Sequence, residues 1–405
     1  MRRTLQVEID QSTWPAPPAT PAFPTAFVGG AGPYSLDILG MLLHIGRLTT
    51  PSHPSGVSLS EFWAYVRYLH AVSTEADLRL TTSFANLDSH QKTILSDDFG
   101  MGAPVTWLTE RLGITKFVDG RDFIDRYAAA VGATADKPKK RGPGKSPDFV
   151  GRDVNGVWHV LECKGTQSGR SSRKKQLGQA GASPTGAIAQ KRTINFPSAY
   201  TGQRLASGLV IGVSGGAASS LKIIDPPGDE ALAVDEGRIA DAEEALERAN
   251  LAQSLRLAGF AASGLAVSAP WGSRPQDRPI SGLTGRRREA VAAANARRAR
   301  EELGERFQRM SFEVGAIGYR GREVTFVLPF PVVVEGKAYR RAHVRQGVPD
   351  RLLEEISETP TFERAPVHLA AIKESRDLPM KLISSDANAR LHIGATFVSE
   401  IDLER

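Results

Sequence analysis

A chain of 405 residues is long enough for two or three domains and at least one sizeable hydrophobic core. With 51 Lys and Arg against 45 Asp and Glu it carries a net charge of +6, which suits a polyanionic partner without identifying one. Its one cysteine, Cys163, excludes an internal disulfide and a cysteine zinc cluster, and points to a reducing compartment.

At the N-terminus, "MRRTLQVEIDQSTW" has no apolar run behind its arginines and does not read as a secretory signal. No window approaches the roughly 20 uninterrupted apolar residues of a membrane helix, so a cytoplasmic location and no membrane partner are expected. Residues 1–60 are rich in Pro, Gly, Ser and Thr and predict a proline-rich arm, with one short helical piece around "LDILGMLLHI". "SLSEFWAYVRYLHAV" predicts a helix, with Ser58 and Glu61 as a capping box and Phe62, Val66, Leu69 and Val72 near helical spacing.

A second helical unit covers about 95–131. "PVTWLTERLG" ends at Gly113, "ITKFVD" reads as a strand, and "RDFIDRYAAAVG" as a helix closed by Gly132. "ATADKPKKRGPGKSP" has no apolar anchor and reads as a basic loop. Its "GPGKS" imitates part of a phosphate-binding loop, but Lys139 stands where the first glycine belongs and Pro147 opens a strand, not a helix. Beyond a strand-like ribbon at 146–166 lie a basic helical region to about 195 and two strand-like runs, "GLVIGV" and "SLKIID". An alanine-rich helical stretch at 229–262 and a long helix, "GRRREAVAAANARRAREELGERFQRM", follow. That helix carries Arg286, Arg287, Arg288, Arg297, Arg298 and Arg300 among several glutamates, a composition suited to a surface helix with i, i+4 ion pairs. The last 95 residues alternate strand-like runs with turns. "VTFVLPFPVVV", with two prolines, suits strands and turns.

The ribbon carries the chemistry. "DFVGRDV" and "VWHVLECK" flank Asn155-Gly156, a strong hairpin signal. A two-residue loop pairs Val154 with Val157, sets Asp148 against Cys163 and turns Glu162 to the other face. A three-residue loop, Val154-Asn155-Gly156, pairs Asp153 with Val157 and so Asp148 with Glu162. Both loops fit the sequence. In the second, Asp148, Glu162 and Lys164 share one face. Val160 and Leu161 point opposite ways, which predicts a central, covered strand with charge confined to its end. Two converging carboxylates make an oxygen-rich site for a hard divalent cation, and an adjacent lysine can hold or deprotonate water and offset charge on a phosphoryl transition state. His159 reads as a flanking strand residue and Cys163 as a packed core thiol.

Pro147-Asp148, a 13-residue gap, then Glu162-Cys163-Lys164 and Gly165-Thr166 resemble the PD-(D/E)XK nuclease superfamily over roughly 90–226. The resemblance implies an α/β fold with the restriction-endonuclease-like αβββαβ core and a mixed sheet, followed here by a β-rich C-terminal unit. It implies Asp148 and Glu162 as ligands of Mg²⁺, or of Mn²⁺ in its place, and Lys164 as the catalytic lysine. Many members add an acid on the first core helix and a glutamine on the helix after the lysine. Asp97, Asp98 and Glu110 offer the first and Gln179 and Gln190 the second, with Asp98 and Gln190 preferred. The basic residues that bracket the ribbon, Lys139, Lys140, Arg141, Lys145, Arg170, Arg173, Lys174 and Lys175, are the expected nucleic-acid contacts.

The resulting division is a proline-rich arm (1–60), a nuclease-like domain (61–228), a helical segment with the Arg-rich helix (229–310) and a β-rich unit (311–405). The expected activity is Mg²⁺-dependent phosphodiester hydrolysis of nucleic acid, most simply DNA, in a bacterial restriction, repair or antiphage-defence setting. A homodimer or a partner protein of a defence system stays open. The alternatives are a non-catalytic DNA-binding module of the same fold and a scaffold acting through its C-terminal β unit.

Overall fold

The computed structural model describes residues 1–16, 18–50, 64–131, 146–180, 186–190, 194–225, 232–268, 282–358 and 366–405. Ser58, Glu61, Phe62, Gly132, Lys139, Lys140, Arg141 and Lys145 lie outside them. The architecture is α/β, with a seven-stranded mixed sheet and a six-stranded antiparallel sheet.

The N-terminal segment joins the larger sheet where an arm was expected. β1 (Arg2–Ile9) buries Leu5 and Val7 on alternate positions, the period of a half-buried strand, and pairs antiparallel with β2 (Gly32–Asp37). The proline-rich connection is anchored by rings: Trp14, Phe23 and Phe27 meet edge to face, and Phe27 packs on Trp107. α1 (Ile38–Leu48), the short helix of the sequence reading, is capped by the Asp37 side chain, which accepts from Leu39 N–H at 3.1 Å, and is buried along nearly its whole length. Of the helix expected around 58–72, the described part is a 3₁₀ turn, Ala64–His70.

After α2 (Thr82–Ala85), the long α3 (Ser89–Leu112) stops at Gly113, whose φ of 61° is the left-handed helix end foreseen from the sequence. β3 (Ile114–Asp119) and α4 (Gly120–Ala130) lead to β4 (Phe149–Asp153) and β5 (Trp158–Thr166). Beyond β5 come α5 (Gly169–Leu177), α6 (Gly186–Gln190), β6 (Ile194–Asn195), β7 (Thr201–Val210), β8 (Ser220–Ile224) and β9 (Leu232–Ala233); β6 and β9 form a small parallel pair. The large sheet runs β2-β1-β8-β7-β5-β4-β3, with β5 parallel to β7 and β1 parallel to β8. β5 is therefore central, and every one of its residues but Lys164 is buried.

α7 (Ile239–Leu257) lies against β3 and α4, α8 (Ala261–Ser268) against α7, and α9 (Gly282–Gly304) against α8. The second sheet holds β10 (Met310–Val314), β11 (Ile317–Val334) and β12 (Lys337–Pro349), then α10 (Asp350–Glu358) and α11 (Ala370–Ser375), then β13 (Lys381–Ser384), β14 (Asn388–Ile393) and β15 (Phe397–Glu404). Pro329 and Pro331 fall where the β11–β12 register shifts, between Val327 and Val332, so neither interrupts the paired stretches.

Candidate active site

The hairpin register is that of the three-residue loop. Phe149 faces Leu161 and Arg152 faces Trp158, so Asp148, one step outward, lies opposite Glu162. The turn is closed by Asp153 N–H donating to Val157 O at 3.0 Å and Gly156 N–H to Asp153 O at 3.1 Å, with Gly156 at φ 80°. The Asp153 carboxylate adds the deciding contacts, accepting from the N–H groups of Asn155 (2.8 Å) and Val157 (2.9 Å). Burial pushes Asp153 up, but these amides and His159 outweigh it and hold the carboxyl below its ordinary range. His159 is a strand residue with structural bonds, its Nδ1 accepting from Gln203 N–H at 3.0 Å.

Asp148, Glu162 and Lys164 meet at the end of this ribbon. Glu162 is fully buried; its Oε2 accepts from the Asp148 N–H at 3.0 Å and its Oε1 from Lys164 Nζ at 2.5 Å. Asp148 Oδ2 accepts from the Cys163 N–H at 2.7 Å, which turns the aspartate toward the Glu-Cys-Lys stretch. Burial, then the charge of Asp148, push Glu162 up to about 8 against the pull of Lys164. Burial likewise raises Asp148, partly offset by Lys164 and the Cys163 amide. Burial works against the Lys164 ammonium, but Asp148 and Glu162 outweigh it and raise its pKa. The Cys163 thiol is pushed up by burial and by Asp148, so it is an inert core group.

Of the acids on α3, Asp97 is the one whose charge is felt at the ribbon. Lys164 acts electrostatically on Asp97, and Asp97 acts on Asp148. Asp98, preferred on the sequence, is turned elsewhere: its Oδ2 accepts from Tyr68 OH at 2.5 Å, and burial pushes it up to about 6. Asp97 stands by the ribbon because α3 meets β5 backbone to backbone. A Cβ on Gly100 would lie 2.6 Å from Gly165 N, and one on Gly165 would collide with Ser96 O. Gln190, at the end of α6, is half-buried. A helix glutamine that does reach the lysine strand is Gln176, on α5. Its Nε2 donates to Gly165 O at 3.4 Å, and its buried Oε1 has no hydrogen-bond partner among the described residues. Gln176 opens the "QLGQA" segment, 12 residues after Lys164, so its signal was present but indistinguishable from that of Gln179.

The basic contacts divide. Arg173 is buried and committed to structure, donating to Glu8 Oε2 at 2.7 Å and to Ser220 O at 3.2 Å, which corrects its assignment to a nucleic-acid surface. Arg170 lies 3.5 Å from Glu8 Oε1, while Lys174 and Lys175 are exposed.

The donor set suits a hard cation. Asp148 and Glu162 offer only oxygen, and the burial and the Asp148 charge that raise Glu162 are both offset by a bound cation. Among the described residues no three His, Cys, Asp or Glu side chains form a ready cation cage, so two carboxylates would have to be completed by water or by substrate oxygens, as Mg²⁺ commonly is. No helix among the described residues is long and apolar enough to cross a membrane. No known protein family, curated protein or solved structure matches the chain.

Proposed function

We propose that the chain is a Mg²⁺-dependent phosphodiesterase that cleaves nucleic acid, DNA in the first instance, with water as nucleophile. The observation that carries this reading is the three-residue turn, whose register brings Asp148, Glu162 and Lys164 to one end of a covered central strand. The order α3, β3, β4, β5, α5, β7, with α4 inserted between β3 and β4 and α6 and β6 between α5 and β7, supports a restriction-endonuclease-like core around that strand. Asp148 and Glu162 would hold the cation. When bound, it would polarise a phosphoryl oxygen and lower the pKa of a coordinated water.

The chain's own residues supply the rest. Lys164, kept as the ammonium by the two carboxylates, positions the water and offsets charge growing on the non-bridging oxygens. Asp97 balances that ammonium from the helix side, and the Cys163 N–H fixes the Asp148 rotamer. Lys174 and Lys175, exposed on the helix after β5, would meet backbone phosphates.

The test is cleavage of plasmid and single-stranded DNA with Mg²⁺, comparing the native chain with Lys164→Ala and Asp148→Asn. Each substitution should lower the rate about 10²-fold or more. A purified Lys164→Ala protein that cuts at the native rate, or a native chain that binds DNA but never cuts it with Mg²⁺ or Mn²⁺, would remove the hydrolase reading.

A further inference from the structure

Among its described side chains, the arginines of the exposed Arg-rich helix do not make the i, i+4 ion pairs that its composition suggested. α9 buries Ala296, Ala299 and Leu303 and packs against α8 and α10. Arg286, Arg287, Arg297, Arg298 and Arg300 are exposed, and no carboxylate among the described residues pairs with any of them. The reason is visible at Glu302, the i+4 neighbour of Arg298. Its Oε2 accepts from Ser263 N–H (2.8 Å) and Ser263 OH (2.7 Å), and its Oε1 from Ala262 N–H (3.3 Å), so it serves the first turn of α8.

At about 100° per residue, Arg286, Arg297 and Arg300 share one stripe of α9, and Arg287 and Arg298 form the stripe beside it. From Arg286 to Arg300 the track is about 21 Å long at ~1.5 Å per residue. That is roughly the length of six phosphates on one strand at ~3.4 Å each. On this face Ala290, Ala293 and Ala294 let a rod-like polyanion approach closely, while Glu289 and Glu301, also among the arginines, lower the net charge of the track. Just past the helix, Phe307 is 63% exposed, with Arg306 over its ring at 4.4 Å. An acidic protein would ask only for charge, whereas an exposed ring beside a basic track is what nucleic-acid surfaces combine.

We propose that this face of α9 is a nucleic-acid backbone-binding surface, separate from the ribbon and working through phosphate neutralisation. It shares the nucleic-acid reading of the ribbon but none of its chemistry, so the two can fail independently. The test is fluorescence anisotropy of the full chain with a labelled duplex of about 20 base pairs, in EDTA to exclude cleavage, between roughly 50 and 200 mM salt. Replacing Arg297, Arg298 and Arg300 by Gln should weaken binding at least ~10-fold at the low-salt end. It should also flatten the log-log salt slope by up to about 3, near 0.9 for each lost phosphate contact. Thermal melting should be unchanged, because the three side chains are exposed and have no ion pair among the described residues. If the triple variant does not fold, Arg297→Gln and Arg300→Gln alone should each flatten the slope by nearly 1. A native slope and affinity in the folded variants would overturn the proposal, as would polyglutamate competing as well as unlabelled duplex. A native chain that fails to cut with Mg²⁺, while its EDTA binding is weakened by these substitutions as expected, would count against the ribbon reading only and would leave this surface standing.

Discussion

His44 is a basic side chain without access to water, buried on α1 with Arg47 one turn away. Burial, and then the Arg47 charge, push its pKa down to about 3. In the unfolded chain a histidine titrates near 6.5, so between those values the unfolded state binds more protons than the folded one. The stability that neutral His44 contributes is thus complete above about pH 6.5 and is lost as the pH falls toward 3. Between pH 7 and 4.5 the native chain should lose on the order of 2 kcal/mol from this group, and His44→Leu should lose correspondingly less. Urea midpoints at the two pH values measure this, and equal losses for both proteins would contradict it. The same scale shows where residue-level reading fails. Asp97 and Asp98 are equally acidic and adjacent, and about 100° of helix rotation separates the one beside Lys164 from the one bonded to Tyr68. Only the tertiary partners decide between them. Arg173 reads as a surface cation until strand β1, distant in sequence, brings Glu8 to it.

At the scale of elements, the ribbon was the most legible part of the chain. Its turn, its covered strand and its charged end all follow from period and turn chemistry, and only the loop length stayed open. Asp153 resolved it, because its carboxylate satisfies two amides that only the longer loop presents. The contact between α3 and β5 was not legible, since two glycines 65 positions apart in a sequence carry no mark of meeting. That contact sets how close Asp97 comes to the ribbon. A methyl group on Gly165 would strike the carbonyl of Ser96, a backbone atom that cannot rotate away, so the helix itself must shift. Gly165→Ala should therefore cost about 1–3 kcal/mol of stability, as overpacking generally does, and should lower any Mg²⁺-dependent cleavage with it. A denaturation midpoint equal to that of the native chain would show that α3 is not seated as described.

Over the whole molecule, the composition shifts that suggested separate units do not coincide with breaks in the core. One buried cluster runs from Leu5 and Leu36 through α1 and α7 to Leu391, Phe397 and Ile401 of the second sheet. The ends of the chain meet there too. The Met1 amino group donates to Asp386 O at 2.8 Å, and Met380 N–H donates to Ile114 O at 2.8 Å. Arg47, buried on α1, reaches Asn250 Oδ1 on α7 at 2.5 Å and lies over the Phe397 ring at 5.4 Å. Burying that guanidinium costs desolvation, which lowers its pKa to about 9, so it is held by its hydrogen bonds and ring contact in the assembled core. The second sheet buries Ala389, Leu391 and Ile401 in the same cluster as the apolar side chains of α1. Alone, it would expose to water the part of that face that α1 covers at β13, β14 and β15, leaving only the short helices α10 and α11 to pack on the sheet. A fragment of residues 306–405 should therefore fail to fold independently, giving a collapsed amide proton spectrum and dye binding typical of exposed apolar surface. A well-dispersed spectrum with a cooperative melt from that fragment would mean that the second sheet closes its own core, and that the apolar continuity with α1 is docking between two finished units.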